Sequence, residues 1–299
     1  MRAKGVEGPV ESHNGKGRPV GPALAAVLVA AAALAGCAGL GSPRIDQRND
    51  DAPAARSRSN LSSLSEVIEK HPDDAQAYNM RGSAYGEAGM NEQALADFNK
   101  AISLDPNYAQ AYTNRGLVYR RANRLDLALA DFDRTLSIDP SYAPAYLGRG
   151  VVYSLQGQAM QALSDFNKAI ALRPDNPDAY YSRGLLYQGQ QQQTIAIADF
   201  TAAIGLAPQR GQLYVARALS DLAIGDARAA AGDLDHAVSL DPGDPKAWAS
   251  RGLAYERLGQ KDKAAGSYAR ALGIDAKYAP AVAGFARVGG RTGQTYQTF

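Results

Sequence analysis

Residues 109–142, AQAYTNRGLVYRRANRLDLALADFDRTLSIDPSY, are followed at once by residues 143–176, APAYLGRGVVYSLQGQAMQALSDFNKAIALRPDN, and both obey one template. Each has Tyr in slot 4 (Tyr112, Tyr146), Arg-Gly in slots 7 and 8 (Arg115 and Gly116, Arg149 and Gly150) and Tyr in slot 11 (Tyr119, Tyr153). Slots 20, 23 and 24 hold Ala, Asp and Phe (Ala128, Asp131, Phe132; Ala162, Asp165, Phe166). Apolar residues in slots 4, 8 and 11, and again in 20, 24, 27 and 28, recur at helical spacing and predict two successive helices. Glycine or a polar loop near slot 15 separates them. The proline of slot 32 (Pro140, Pro174) stops the second helix, because it disfavours the α conformation in the residue before it.

Outward from this pair the 34-residue template runs without insertion through six copies, beginning at Ala75, Ala109, Ala143, Pro177, Gly211 and Pro245. Slot 4 is always aromatic, ending in Trp248, and slot 20 is always Ala, from Ala94 to Ala264. Slot 8 is Gly except for Ala218, a costly choice inside a helix, at about 1 kcal/mol against Ala. Its recurrence predicts that the partner helix leaves no room there for a Cβ, with the Ala of slot 20 facing it. Slot 7 is Arg in every copy, and slot 23 is Asp in five (Asp97, Asp131, Asp165, Asp199, Asp233). We expect a ladder of Arg–Asp pairs joining first and second helices. The fifth copy departs most, with Gly211, Ala218, Asp221 and Leu234, and is expected to be the softest joint.

This pattern, aromatic-x-x-x-Gly-x-x-Tyr followed by Ala-x-x-x-Phe and Pro, resembles the tetratricopeptide-repeat (TPR) family over residues 75–278. The resemblance implies an all-α, right-handed superhelical solenoid of six helix-turn-helix units (75–108, 109–142, 143–176, 177–210, 211–244, 245–278). Half-units complete the array: residues 59–74 as a lone second helix, and 279–290 as a capping helix over the otherwise exposed last pair. Residues 291–299 read as a disordered tail.

The start of the chain has a different character. Basic residues precede an uncharged stretch, Pro22 to Gly36, the order of a secretory signal over residues 1–36. Leu34-Ala35-Gly36-Cys37 resembles the lipobox of bacterial lipoproteins, which implies cleavage before Cys37 and lipidation of this sole cysteine. An uncleaved anchor is the alternative, although fifteen helical residues reach only about 22 Å against roughly 30 Å of hydrocarbon. Residues 37–58 read as a flexible tether. Ala38 behind the lipidated cysteine favours the periplasmic face of an outer membrane.

The chain holds 32 basic and 30 acidic residues; the first 36 carry four and two of these, which leaves 28 of each sign in the remainder. A neutral body attracts no phosphate backbone, so nucleic acid is not an expected partner. Tyrosines in slots 4 and 11 read as core. His13, His71 and His236 are scattered, no metal-ligand or nucleophile–base spacing occurs, and no cofactor motif appears. Carboxylates expected in the groove (Glu87, Asp178, Glu256) lie in different copies, so no active site is expected and the chain reads as no enzyme.

In the TPR family, ligands lie in the concave groove of the first helices, at slots 2, 5, 9, 12 and 13. Carried onto this chain, with slot 6 beside them, those slots give a polar and basic second copy (Asn114, Arg120, Arg121) and an apolar centre. The centre comprises Leu147, Val151, Leu155, Tyr181, Leu185, Val215, Leu219 and Leu222. The clamp for terminal carboxylates known in chaperone-binding members is not matched, since Asn79 and Ser83 fill its first slots. The expected partners are protein or peptide segments in the groove and a membrane at Cys37. The resemblance implies a lipid-anchored scaffold of the bacterial cell envelope, or an assembly factor for an outer-membrane, secretion or pilus machine.

Overall fold

The computed structural model describes residues 52–291 and Tyr296, with side chains from residue 61 onward. The signal-peptide reading of 1–36 and the lipidation of Cys37 lie outside the described residues. So does most of the tether. Among the described residues the chain is helical throughout: α1 (Ala52–Lys70), α2 (Ala75–Glu87), α3 (Asn91–Leu104), α4 (Ala109–Arg121), α5 (Leu125–Ile138), α6 (Ala143–Leu155), α7 (Ala159–Leu172), α8 (Pro177–Gly189), α9 (Gln193–Leu206), α10 (Gly211–Ile224), α11 (Ala227–Leu240), α12 (Pro245–Arg257), α13 (Lys261–Ile274) and α14 (Ala279–Arg287).

The limits of these helices follow from local chemistry. Asp74 caps α2 by accepting from the amides of Gln76 and Ala77 at 2.8 and 3.1 Å. The turn inside each pair places slot 15 in the left-handed region. Gly89, Gly157, Gly225 and Gly259 take it freely, while Asn123 and Gln191 take it at φ 57° and 62°. Three expectations are corrected at the ends. Helix α1 starts at Ala52, inside the stretch read as tether, because Ala-Pro-Ala-Ala suits a first helical turn. Helix α14 stops at Arg287, short of residue 290, and Gly289 turns the chain at φ 76°. Tyr296, in the tail expected to be disordered, packs edge-on to Phe285 with ring centroids 5.5 Å apart.

Each pair closes around the slot-24 ring. Phe98, Phe132, Phe166 and Phe200 are at most 1 % exposed. They explain the slot-8 glycines: a Cβ on Gly82, Gly150 or Gly184 would stand 2.7–2.8 Å from the ring of its own repeat. The partner helix thus leaves no room for a Cβ, as expected, and it is chiefly its slot-24 ring that takes the space, with the Ala94 carbonyl also 3.2 Å from the Gly82 position. In the fifth copy both partners change, since Leu234 replaces Phe and leaves room for the methyl of Ala218. Both are fully buried, and this copy joins the sixth and α14 in one continuous core from Tyr214 to Phe285.

The Arg–Asp ladder forms in five copies. Arg115 Nε and Nη2 donate to the two carboxylate oxygens of Asp131 at 2.8 and 2.6 Å. Arg81–Asp97, Arg149–Asp165, Arg183–Asp199 and Arg217–Asp233 repeat the fork. The pairs are largely covered, the Asp131 side chain being only 6 % exposed. Burial dominates and pushes its carboxyl up, with Arg115 pulling the other way. A third arm went unforeseen. Nη1 of each arginine reaches slot 25 of the preceding repeat: Ser65, Asn99, Asp133, Asn167 and Thr201 in turn. In the sixth copy Ser267 replaces the aspartate, and Arg251 takes its carboxylate from Asp235 behind it. Slot-4 aromatics flank these guanidiniums, with Arg251 5.4 Å from the ring of Trp248. The ladder thus ties each repeat to its own second helix and to its predecessor.

Candidate partner-binding groove

Consecutive first helices (α2, α4, α6, α8, α10, α12) touch each other as well as their own partners, and consecutive second helices make no comparable approach. That asymmetry curves the stack and sets the ligand slots of the first helices on its inner side. Whether a slot is open then depends on how closely the next repeat covers it.

The structure brings four expected residues together. Tyr181, Leu185, Val215 and Leu219 line one shallow cleft of about 70 Å³ between α8 and α10, rimmed by Gln188, Gln212, Asp244 and Lys246. Tyr181 leans on Phe200 at 6.0 Å between centroids, and burial pushes its phenol pKa up. Gln188 crosses from α8 to α10, donating to the carbonyl of Ala216 at 3.0 Å and to the hydroxyl of Ser220 at 2.8 Å. Asp244 caps α12 through the amide of Lys246, so the far rim is held by a helix start. An apolar floor with a polar rim suits an apolar side chain whose backbone stays hydrogen-bonded at the edge.

Other expected residues are placed differently. Leu222 is 3 % exposed and belongs to the C-terminal core, which withdraws it from the groove, and Arg257 donates to its carbonyl. Val151 is buried beside Phe166 and Leu186. Leu147 is partly covered by that same cluster, while Leu155 stands 42 % exposed at the end of α6. Glu256 is not free either: Arg287 from α14 forks onto it at 2.9 Å and Tyr268 donates to it at 2.6 Å. Arg287 first, and Tyr268 after it, hold that carboxyl below its ordinary value.

Toward the N-terminal end the groove is polar. Asn114 Nδ2 donates to Asn79 Oδ1 at 3.0 Å and to Ser83 Oγ at 3.2 Å, and Asn79 Nδ2 donates to the Tyr108 hydroxyl at 3.2 Å. Asn79 itself is 2 % exposed, so this network joins the first repeat to the second. Arg121 lays its guanidinium over Gly86, 3.1 Å from where a Cβ would stand. Arg120 beside it is partly buried, and its Nε is sealed from solvent with no acceptor among the described residues. Loss of solvation, and then the neighbouring Arg121, hold its pKa below the usual arginine value.

No helix among the described residues is long and apolar enough to cross a membrane. Nor does any group of three His, Cys, Asp or Glu among them stand close enough to hold a metal ion.

Profiles described as tetratricopeptide repeat or TPR repeat match residues 64–96, 82–123, 109–142, 155–191, 177–210 and 215–279. No curated protein matches the chain. Among solved structures, the Cut9 assembly of the APC/C Cut9–Hcn1 hetero-tetramer aligns at TM-score 0.70 and 16 % identity over 79 % of this chain. This chain spans only 46 % of that protein's length. PilF of Pseudomonas aeruginosa aligns at TM-score 0.65 and 18 % identity, covering 71 % of this chain and 97 % of its own. YrrB, a TPR protein with an unusual peptide-binding site, aligns at TM-score 0.52 and 26 % identity over 62 % of this chain and 96 % of its own.

Proposed function

The chain belongs to the tetratricopeptide-repeat family, and from that premise we propose that it is a protein-interaction scaffold that holds a partner segment along its first helices. The observation that carries this reading is the cleft between α8 and α10, where Tyr181, Leu185, Val215 and Leu219 leave an apolar floor inside a polar rim. The likeness to YrrB supports a peptide as occupant. Slots that vary between copies, rather than the invariant spine, would set the choice of partner, since the spine is consumed by the repeat's own ladder.

The finer part of the proposal concerns place. The lipobox-like Leu34-Ala35-Gly36-Cys37 supports a diacylglyceryl anchor on Cys37, with the repeats displayed in the bacterial envelope at the periplasmic face of the outer membrane. Two or more acyl chains give stable anchoring, since each buried methylene contributes about 0.8 kcal/mol. Metabolic labelling with a palmitate analogue tests it: label and outer-membrane fractionation are lost together in Cys37→Ala. Label that survives this substitution refutes the anchor.

For the groove, tagged full-length protein and a Leu185→Glu/Leu219→Glu variant are used to capture partners from detergent-solubilised envelopes. Both side chains are only partly buried, so the variant folds, as circular dichroism checks. A protein held by the parent and lost by the folded variant bears out the reading. Equal capture by both moves the binding surface elsewhere.

A further inference from the structure

We infer that Arg120 and Arg121 form an anion-recognition subsite of the groove that takes the carboxylate of an acidic side chain on the bound segment. This rests on the groove reading and adds the chemistry of the partner to it.

The argument begins with how the chain treats its other covered guanidiniums. The six spine arginines each hold a carboxylate. Arg257 donates to the Leu222 carbonyl, and Arg287 forks onto Glu256. Arg120 breaks that rule. Among the described residues its Nε is sealed without an acceptor, and the charged group acting on it is Arg121, of the same sign. A covered donor without a partner is a cost that folded chains avoid, so its retention calls for a reason outside the chain's own packing.

Repeat register shows why the next repeat supplies no side-chain partner. In the fourth copy the slot-12 side chain, Gln188, reaches slots 6 and 10 of the next repeat, at Ala216 and Ser220. The slots opposite Arg120 are Gly148 and Val152, which offer no side-chain acceptor. Slots 12 and 13 are both cationic in the second copy alone; elsewhere they are Gly86 and Glu87, Ser154 and Leu155, Gln188 and Gly189, Leu222 and Ala223, or Glu256 and Arg257. Arg120, half-buried, and Arg121, solvated over Gly86, place two positive charges at this end of the groove; an incoming carboxylate would meet the guanidinium nitrogens of Arg120 other than its sealed Nε, with Arg121 steering it in. A segment lying along the groove would place this acid at the second repeat and an apolar residue in the cleft two repeats on.

The test uses full-length protein in detergent to select from a displayed library of random dodecapeptides, in parallel with an Arg120→Gln/Arg121→Gln variant. The expected result is an Asp or Glu at fixed spacing from an apolar anchor in the parent selection. In the variant selection the anchor stays and the acid is lost. Changing the selected acid to its amide should then weaken binding to the parent about tenfold and to the variant hardly at all. The same acid preference in both selections overturns the subsite. An apolar motif without an acid in the parent also overturns it, while leaving the groove reading intact. Peptides that bind the Leu185→Glu/Leu219→Glu variant equally well sink the groove reading and the subsite with it. Tighter binding when the acid is replaced by phosphoserine overturns the carboxylate assignment. Thermal melting gives a second, ligand-free readout, because Arg120→Gln should raise Tm if the cation is held for binding. A lowered Tm would make Arg120 a packing residue and refute the inference.

Discussion

The first four repeats and the last two share one register but are packed differently. In copies one to four each slot-24 phenylalanine gathers its own small core, with polar contacts such as Asn79–Asn114 and Thr113–Thr135 between neighbouring repeats or helices. From Tyr214 onward the cores merge through Leu234, Trp248 and Tyr268 to Phe285. In a stack whose units touch only their neighbours, stability is a local property. The difference therefore separates a C-terminal half that anchors the array from an N-terminal half that keeps polar, less self-satisfied groups in the groove. The covered, unpartnered Arg120 lies in the second.

The largest effect should come from breaking one small core. Phe132→Ala removes the ring that fills the second copy and should cost about 3–5 kcal/mol. Hydrogen exchange should then rise across α4 to α6 while α11 to α13 stay protected. Exchange rising equally at both ends would make the array one cooperative unit and erase the contrast.

The spine gives the next step down. Asp165→Ala leaves Arg149 half-covered with only Asp133 at its rim, and should cost about 3 kcal/mol by analogy with buried pairs. Ser267→Ala at the same slot of the sixth copy removes a neutral contact and should cost about 1 kcal/mol, because Asp235 still holds Arg251. Urea melts of the two variants compare them directly. Equal losses would mean that the ladder contributes no more than neutral hydrogen bonds.

Asp221 stands where other copies have tyrosine, and it marks a weakness inside the better-packed half. Burial first and Asp233 second lift its pKa to about 6, with Arg217 opposing. A carboxyl whose folded pKa exceeds its unfolded value of 3.8 supports the fold most when protonated. That support is fully present below about pH 4 and lost as pH rises through 6. Asp221→Asn should therefore raise stability at pH 7, by about 1–3 kcal/mol at 1.36 kcal/mol per pK unit, and change little at pH 4. Melting at the two pH values checks it, and an equal gain at both would show that ionisation is not the cause.

The smallest effect sharpens the size match inside a repeat. Gly150→Ala pushes a methyl into Phe166 and should cost about 1–3 kcal/mol. Adding Phe166→Leu should recover about 1 kcal/mol in a double-mutant cycle, since that pair is what the fifth copy already uses. Zero coupling would separate slots 8 and 24.

Much of this was readable in the chain because a strict 34-residue register assigns every residue to a slot. The helix pairs, the Arg–Asp forks and the cleft residues Tyr181, Leu185, Val215 and Leu219 all follow from slot identity. What slot identity lacks is the reach of a neighbour's side chain. Glu256 sits in a groove slot but is claimed by Arg287 of the cap, and Leu222 is taken into the C-terminal core. The third arm of the ladder could have been found, because slot 25 is an acceptor wherever another repeat follows, from Ser65 to Asp235, and becomes Ala269 where none does. The merged C-terminal core left no comparable signal, since Ala218 and Leu234 look like departures until they are paired.

The central claim is that partners lie along the first helices. Site-specific photocrosslinking tests it most directly, with p-benzoylphenylalanine placed at Leu185 in the cleft or at Met160, which is 82 % exposed on second helix α7. Crosslinks to a partner in cells from position 185, and none from position 160, are the predicted result. The reverse pattern would contradict the account.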